Sequence, residues 1–433
     1  MTDKDTGDAD EAAGDGDEEA VDVHTASRTP RAAGVDVRPG KSARSPVPQP
    51  QLSARQRRWR RARVGLLVLV AALVLAWRPA TAHLRAASLL VRFADPSGKQ
   101  ALGGYGQRAV RDEALTFATA GGSARARIYV PDDGESAPCV VVVHGVHRLG
   151  VDEPRLARFA RAIAASGVNV LTPDVRELAD YRIDPSSIET IGESVRTLSR
   201  RCHGHAVGLM GMSFAGGLAL LAAADPRYAE QVSFVASVGG HHDMARVARF
   251  FAGDPALRPD GTPEPLVAHP YGALVLAYAH VSRFFAPEDE AAARDALRLW
   301  LWEQKVEAAT RAEALSPAGQ ARIDALFAGR TGEVRDLLLQ DVADSEAAMA
   351  RVSPRANLGG LRCPVFLLHG AGDTVIPPSE TLWLAAEVPA GRLAQVLVTP
   401  VLEHVEMRGE PALLEQWALV RFMTALLDRA GGG

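Results

Sequence analysis

Cysteine is scarce in this sequence. Three stand in 433 residues, Cys139, Cys202 and Cys363. Their number is odd, and their spacing matches neither a metal motif nor a disulfide framework. That excludes a cysteine-stapled scaffold and a zinc module. Cys139 and Cys363 border apolar runs and read as buried thiols. Charge imbalance is also missing. A formal net charge of −4 gives no electrostatic footprint for nucleic acid, so none is expected as a partner. No repeat with a period of about 20–50 residues is present, which excludes a solenoid or propeller. The first 54 residues lack any apolar period, carrying an acidic block (Asp3 to Asp22) and then arginines, prolines and serines. They cannot bury enough surface to offset ordering entropy and read as a disordered tail.

Apolar residues make up 47% of the chain, enough for a large core. The first apolar stretch is Val64-Gly-Leu-Leu-Val-Leu-Val-Ala-Ala-Leu-Val-Leu-Ala-Trp77, directly after the basic block Arg55-Gln-Arg-Arg-Trp-Arg-Arg-Ala-Arg63. Its fourteen residues fall short of the roughly 20 that span a bilayer unaided. Trp59 and Trp77 suit the two interfaces, and the arginines can snorkel. Residues 61–82 therefore read as a signal-anchor, with residues 1–60 cytoplasmic and the bulk outside. The alternative is a cleaved export signal, with Ala80-Thr-Ala82 as the processing site. Residues 83–110 read as a linker holding some helix, His83 to Phe93.

From Arg111 the pattern becomes globular. Two β-type runs flank Gly121-Gly122 as a hairpin. Val140–Val143, Val168–Thr172, Ala206–Met212 and Val232–Val238 are short apolar runs separated by helical periods, as in a parallel sheet covered on both faces. The alternation stops at His241. Residues 243–357 show only helical periods, with Leu297, Trp300 and Leu301 on one face and Tyr271, Tyr278, Phe284 and Phe285 adding aromatic surface. Alternation resumes at Cys363-Pro-Val-Phe-Leu-Leu-His369 and continues through 428. The expected organisation is a core in two parts, 111–242 and 358–428, with a helical insertion between them.

The stretch that carries chemistry is Ala206-Val-Gly-Leu-Met-Gly-Met-Ser-Phe-Ala-Gly-Gly217. It reads as a strand, a sharp turn at Ser213 and a helix. Gly211, Ala215 and Gly216 keep the crossing backbones clear of side chains. Such a turn exposes the serine hydroxyl beside the unpaired N–H groups of a helix start. A serine nucleophile needs a base, an orienting carboxylate and oxyanion donors. Asp373 follows a strand in His369-Gly-Ala-Gly-Asp-Thr-Val-Ile-Pro-Pro378. His404 follows the last strand in Thr399-Pro-Val-Leu-Glu-His-Val-Glu406. Asp243 is the competing acid. The N–H groups of Val146, after His144-Gly145, and of Phe214 are the expected oxyanion donors. His144, His147, His241 and His242 are expected to line the substrate pocket in preference to holding a metal.

Taken together, the His144-Gly145 turn, the Gly211-Met-Ser-Phe-Ala-Gly216 elbow, the Gly372-Asp373…Ile376-Pro377 loop and the late His404 resemble the α/β-hydrolase superfamily. The acid loop looks like that of its dienelactone-hydrolase-like and prolyl-oligopeptidase-like members. The resemblance covers roughly 111–428 apart from the insertion, which in this superfamily forms a cap. It departs from the pattern at Ala215, where a second glycine is usual, and in the absence of a glycine near His404. What it implies is an α/β fold with a mostly parallel sheet, helices on both faces and a helical cap. The implied activity is a serine hydrolase acting on a small ester of apolar character, with no metal or organic cofactor. Peptidase or acyltransferase use of the same residues, or a membrane-tethered binding module without catalysis, are the alternatives.

Overall fold

The computed structural model describes residues 53–95, 97–403, 406–407 and 412–431. It opens with a 41-residue helix, α1 (Ala54–Ala94). Among the described residues α1 is the one helix long and apolar enough to cross a membrane. Leu69, Leu73, Leu75 and Trp77 are all exposed on it. The helix continues past Pro79, and the segment expected at His83–Phe93 is its far end. There Ala86, Ser88 and Leu89 are buried. Arg92 fixes this end. Its guanidinium donates to Ser88 Oγ (2.8 Å), Gly103 O (2.9 Å) and Ser166 Oγ (2.6 Å). Phe93 meets Phe159 edge-on at 5.0 Å.

A hairpin follows, β1 (Val110–Thr119) and β2 (Gly122–Pro131), paired antiparallel in full register. The wound part runs β3 (Cys139–Val143), α2 (Pro154–Ala164), β4 (Asn169–Pro173), α3 (Arg176–Ala179), α4 (Ser186–Arg201), β5 (Val207–Met212), α5 (Phe214–Ala224) and β6 (Val232–Val238). Seven helices come next: α6 (Met244–Phe251), α7 (Tyr271–Ala279), α8 (Val281–Phe284), α9 (Glu290–Leu301), α10 (Lys305–Ala312), α11 (Pro317–Phe327) and α12 (Arg335–Ala350). The chain then returns through β7 (Val365–Gly370), α13 (Ser379–Glu387) and β8 (Leu393–Thr399), a two-residue ribbon of β9 (Leu402–Glu403) and β10 (Glu406–Met407), and α14 (Leu413–Ala430).

The eight-stranded sheet has the order β1-β2-β4-β3-β5-β6-β7-β8. All its pairings from β4 to β8 are parallel. The strands read as unbroken apolar runs because helices cover both faces. One core layer gathers Leu171, Leu209, Phe214 and the helices of the insertion. The other gathers α2, α14, the end of α1 and the opposite strand faces, including Val140, Met210 and Phe366. The strand order reverses between β4-β3 and β5-β6, so the C-terminal ends of β3 and β5 flank the crevice where such sheets hold ligands.

One expectation about cysteine is corrected. Cys139 and Cys202 form a disulfide, and the buried Cys363 is the free thiol. Cys139 begins β3, and Cys202 caps the C-terminus of α4. The crossover through α4 back to the sheet brings them together, which no local spacing announces.

Candidate active site

Ser213 sits between β5 and α5 with φ 54° and ψ −135°. A non-glycine residue there is strained, and the surroundings must hold it. They do so through the backbone. Ser213 N donates to Val238 O (2.7 Å), and Gly216 N donates to Ser213 O (2.7 Å). The small residues are required by contact. A Cβ on Gly211 would lie 2.1 Å from Ala215 O, and one on Gly216 would lie 2.4 Å from Ser237 Oγ. Ala215 is fully buried, so its methyl group is accommodated where a glycine was the usual expectation.

The loop after β3 closes on the serine from the other side. A Cβ on Gly145 would stand 3.1 Å from Ser213 Cβ and 3.8 Å from its Oγ. His144 sets the attitude of this loop. Its Nε2 accepts from Val175 N (3.0 Å), so the ring proton sits on Nδ1, which faces Gly145 O at 2.7 Å. The carbonyl of Gly145 and the N–H of Val146 belong to one planar trans unit and point in opposite directions. Holding that carbonyl therefore fixes where the Val146 N–H points. Burial pushes the pKa of His144 down, which keeps the ring neutral and the arrangement intact.

Asp373 is fully buried in the loop after β7. Its Oδ1 accepts from Val375 N (2.9 Å) and Ile376 N (3.0 Å). Its Oδ2 lies 3.4 Å from Nε2 of His369. That histidine bridges Ile376 O and Thr381 Oγ1 and braces the loop from below. His404, expected as the base, lies outside the described residues.

Ser213 lines a cavity of about 860 Å³, together with Gly145, Val146, His147 and Phe214. His144 also reaches its wall, although both ring nitrogens are engaged with backbone. His147 is half-buried, and burial lowers its pKa. The structure does not bring the other expected pocket residues here. His241 is buried under α5, its Nε2 against Val352 O at 2.8 Å. His242 contacts Glu387, and its main-chain N–H donates to the buried Glu380. Asp243 caps α6 and pairs with Arg355 at 2.8 Å. These three residues link the insertion to α13 and the sheet, so the reading of His241 and His242 as pocket residues is corrected. Asp243 is committed to a helix start and an arginine.

Several cavity residues were not expected at the site. Phe93 comes from the last turn of α1, and His269 and Tyr271 come from the insertion. His269 N donates to Thr374 O (2.8 Å), which ties the insertion to the Asp373 loop. Its Nδ1 accepts from Tyr271 N (3.1 Å). Tyr181, whose hydroxyl donates to Leu301 O (2.8 Å), closes the same wall. All of these are placed by packing between distant segments, with no motif around them.

No protein-family model matches this chain, and neither does any curated protein sequence. Among solved structures it is similar to an acylaminoacyl peptidase from Pyrococcus horikoshii, with 12% identity and a TM-score of 0.41, covering 67% of this chain and 37% of that one. The chain thus spans well under two thirds of that peptidase. It is also similar to an esterase from Pyrobaculum calidifontis, with 18% identity, a TM-score of 0.43 and coverage of 81% and 92%. A third is an α/β-hydrolase fold protein from Nakamurella multipartita, with 19% identity, a TM-score of 0.37 and coverage of 74% and 100%. The assignment rests on the chain's own geometry: the strand order, the reversal beside β5 and the strained serine turn are those of the α/β-hydrolase fold.

Proposed function

We propose that the chain is a membrane-anchored serine hydrolase that cleaves a carboxylic ester of apolar character. The observation that carries this reading is Ser213, held at positive φ on the wall of a cavity of about 860 Å³, at the start of α5 and against Gly145. In the mechanism, His404 takes the proton of Ser213 as Oγ attacks the ester carbonyl. Asp373 orients the imidazole and stabilises its cation. The N–H groups of Val146 and Phe214 receive the oxyanion, and the dipole of α5 adds to them. An acyl-enzyme forms with loss of the alcohol, and water releases the acid. The apolar walls from Phe93, Phe159, Tyr271 and Leu301 support an apolar acyl or alcohol part.

The anchor is α1. The arginines ahead of Val64 favour a cytoplasmic N-terminus. The Cys139–Cys202 disulfide supports an oxidising, extracytoplasmic location for the hydrolase unit.

A fluorophosphonate probe tests the serine assignment. It is expected to label the wild-type chain and to leave Ser213→Ala unlabelled. Equal labelling of both would exclude Ser213 as the nucleophile. Product analysis with an added alcohol separates hydrolysis from acyl transfer.

A further inference from the structure

The anchor helix does not leave the hydrolase unit on a free stalk. Trp417, near the start of α14, stacks on His83 of α1 with ring centroids 4.9 Å apart and planes 15° apart. His83 lies six residues past Trp77, about 9 Å along the helix axis. Beyond the hydrocarbon edge a bilayer has an interfacial layer roughly 5–8 Å deep on each side. The first turn of α14 is therefore held at the outer margin of that layer whenever Trp77 marks the hydrocarbon edge.

Among the described residues, none covers that turn. Leu413 and Leu414 are each 82% exposed and Trp417 is 49% exposed, and Leu84 on α1 is 42% exposed. Positions 413, 414 and 417 share one side of a helix. Further along the same helix Leu419, Phe422, Met423 and Leu426 turn into the core. The exposed apolar turn thus lies against α1 at His83, just past an apolar length of the helix that no described residue covers. Arg78 and Arg85 are exposed on α1 on either side of His83, where cations face lipid phosphates.

We propose that Leu413, Leu414 and Trp417 form a second membrane contact, which seats the hydrolase unit on the lipid surface that α1 enters. The occupant is the bilayer interface. Leucine side chains enter the headgroup layer there, beside the indole of Trp417 with His83 behind it. Phe93, on the cavity wall, is then about 15 Å further out along α1. The cavity consequently stands close above the lipid and at a fixed height. This inference rests on the anchor reading of α1.

The test uses the full chain reconstituted in vesicles of phosphatidylcholine and phosphatidylglycerol, with and without nitroxide-bearing lipids. An environment-sensitive fluorophore is attached in separate variants to Leu414→Cys, Leu69→Cys and Val306→Cys. The native cysteines are a disulfide and a buried thiol, so the introduced thiol takes the label. Val306, 78% exposed on α10, reports bulk solvent. Lipid nitroxides are expected to quench the labels at 69 and 414, the latter at an interfacial depth, and to leave 306 unchanged. A label at 414 that behaves like 306 while 69 is quenched overturns the docking surface and leaves the anchor standing. An unquenched label at 69 removes the anchor and the docking surface together. Equal quenching at all three positions marks indiscriminate adsorption and also overturns the proposal.

Discussion

His144 makes two backbone contacts through one neutral ring, and both act on the loop that closes over Ser213. His144→Ala releases the Gly145 carbonyl, and with it the direction of the Val146 N–H. Loss of one oxyanion donor costs about 10²–10³ in kcat. His144→Ala is therefore expected to lower kcat for ester hydrolysis by about 10²-fold, with KM changed much less. Equal changes in kcat and KM would point to a damaged pocket. Gly211→Ala is a different case, because its Cβ would lie 2.1 Å from a backbone oxygen. It is expected to lower stability by a few kcal/mol, read as a shifted denaturation midpoint. The elbow was legible at this scale because close backbone approach leaves a mark in the sequence as small residues. The adjacent His241-His242-Asp243 misled for the opposite reason. Polar residues after a strand look like pocket residues, but here their hydrogen bonds go to Val352, Glu380, Glu387 and Arg355.

Among the elements, the strands and the helical insertion could be read from apolar runs and periods, since burial on two faces and amphipathic packing impose those patterns. Contacts between elements left no such trace. The disulfide joins the start of β3 to the end of α4 across a sequence separation of 63. In the chain-entropy picture a loop of that size contributes about 4 kcal/mol. Cys139→Ser/Cys202→Ser is expected to lose about that much in denaturant unfolding, and reduction of the wild type should lose the same. The thiol of Cys363 is pushed up to about 11, first by burial. A thiol reagent should therefore find no reactive group in the native oxidised chain and one after unfolding, because Cys363 alone is free. Three reacting thiols after unfolding without reductant would contradict this pairing, and a rapidly reacting one in the native state would contradict the burial of Cys363. Phe93 is the other contribution that only packing reveals. It brings α1 to the cavity wall and braces Phe159.

Across the whole molecule, several titrating groups act in one direction. His144 and His241 are buried, and burial lowers both pKa values. His241 Nε2 faces a carbonyl and so carries the proton, while Nδ1 has no partner among the described residues. A second proton would place an unmatched charge in the core. The unfolded chain therefore binds protons before the folded one does, and stability falls as pH drops below the unfolded histidine value of about 6.5. Each ring that stays neutral one pH unit below that value costs about 1.4 kcal/mol. Asp243 adds a later step. Burial alone would raise its pKa, but the Arg355 hydrogen bond and Arg246 hold it below the usual carboxylate range. Its contribution is present above the unfolded carboxylate value and is lost as pH falls through the lowered one. The denaturation midpoint is expected to be level above pH 7, to decline from about pH 6.5, and to fall again below about pH 4. His241→Asn should lower stability at pH 7.5 and flatten the first decline, because the titrating ring is gone. A variant that keeps the full decline between pH 7 and 5 would remove His241 from this account and leave the acid response to His144 and the remaining histidines.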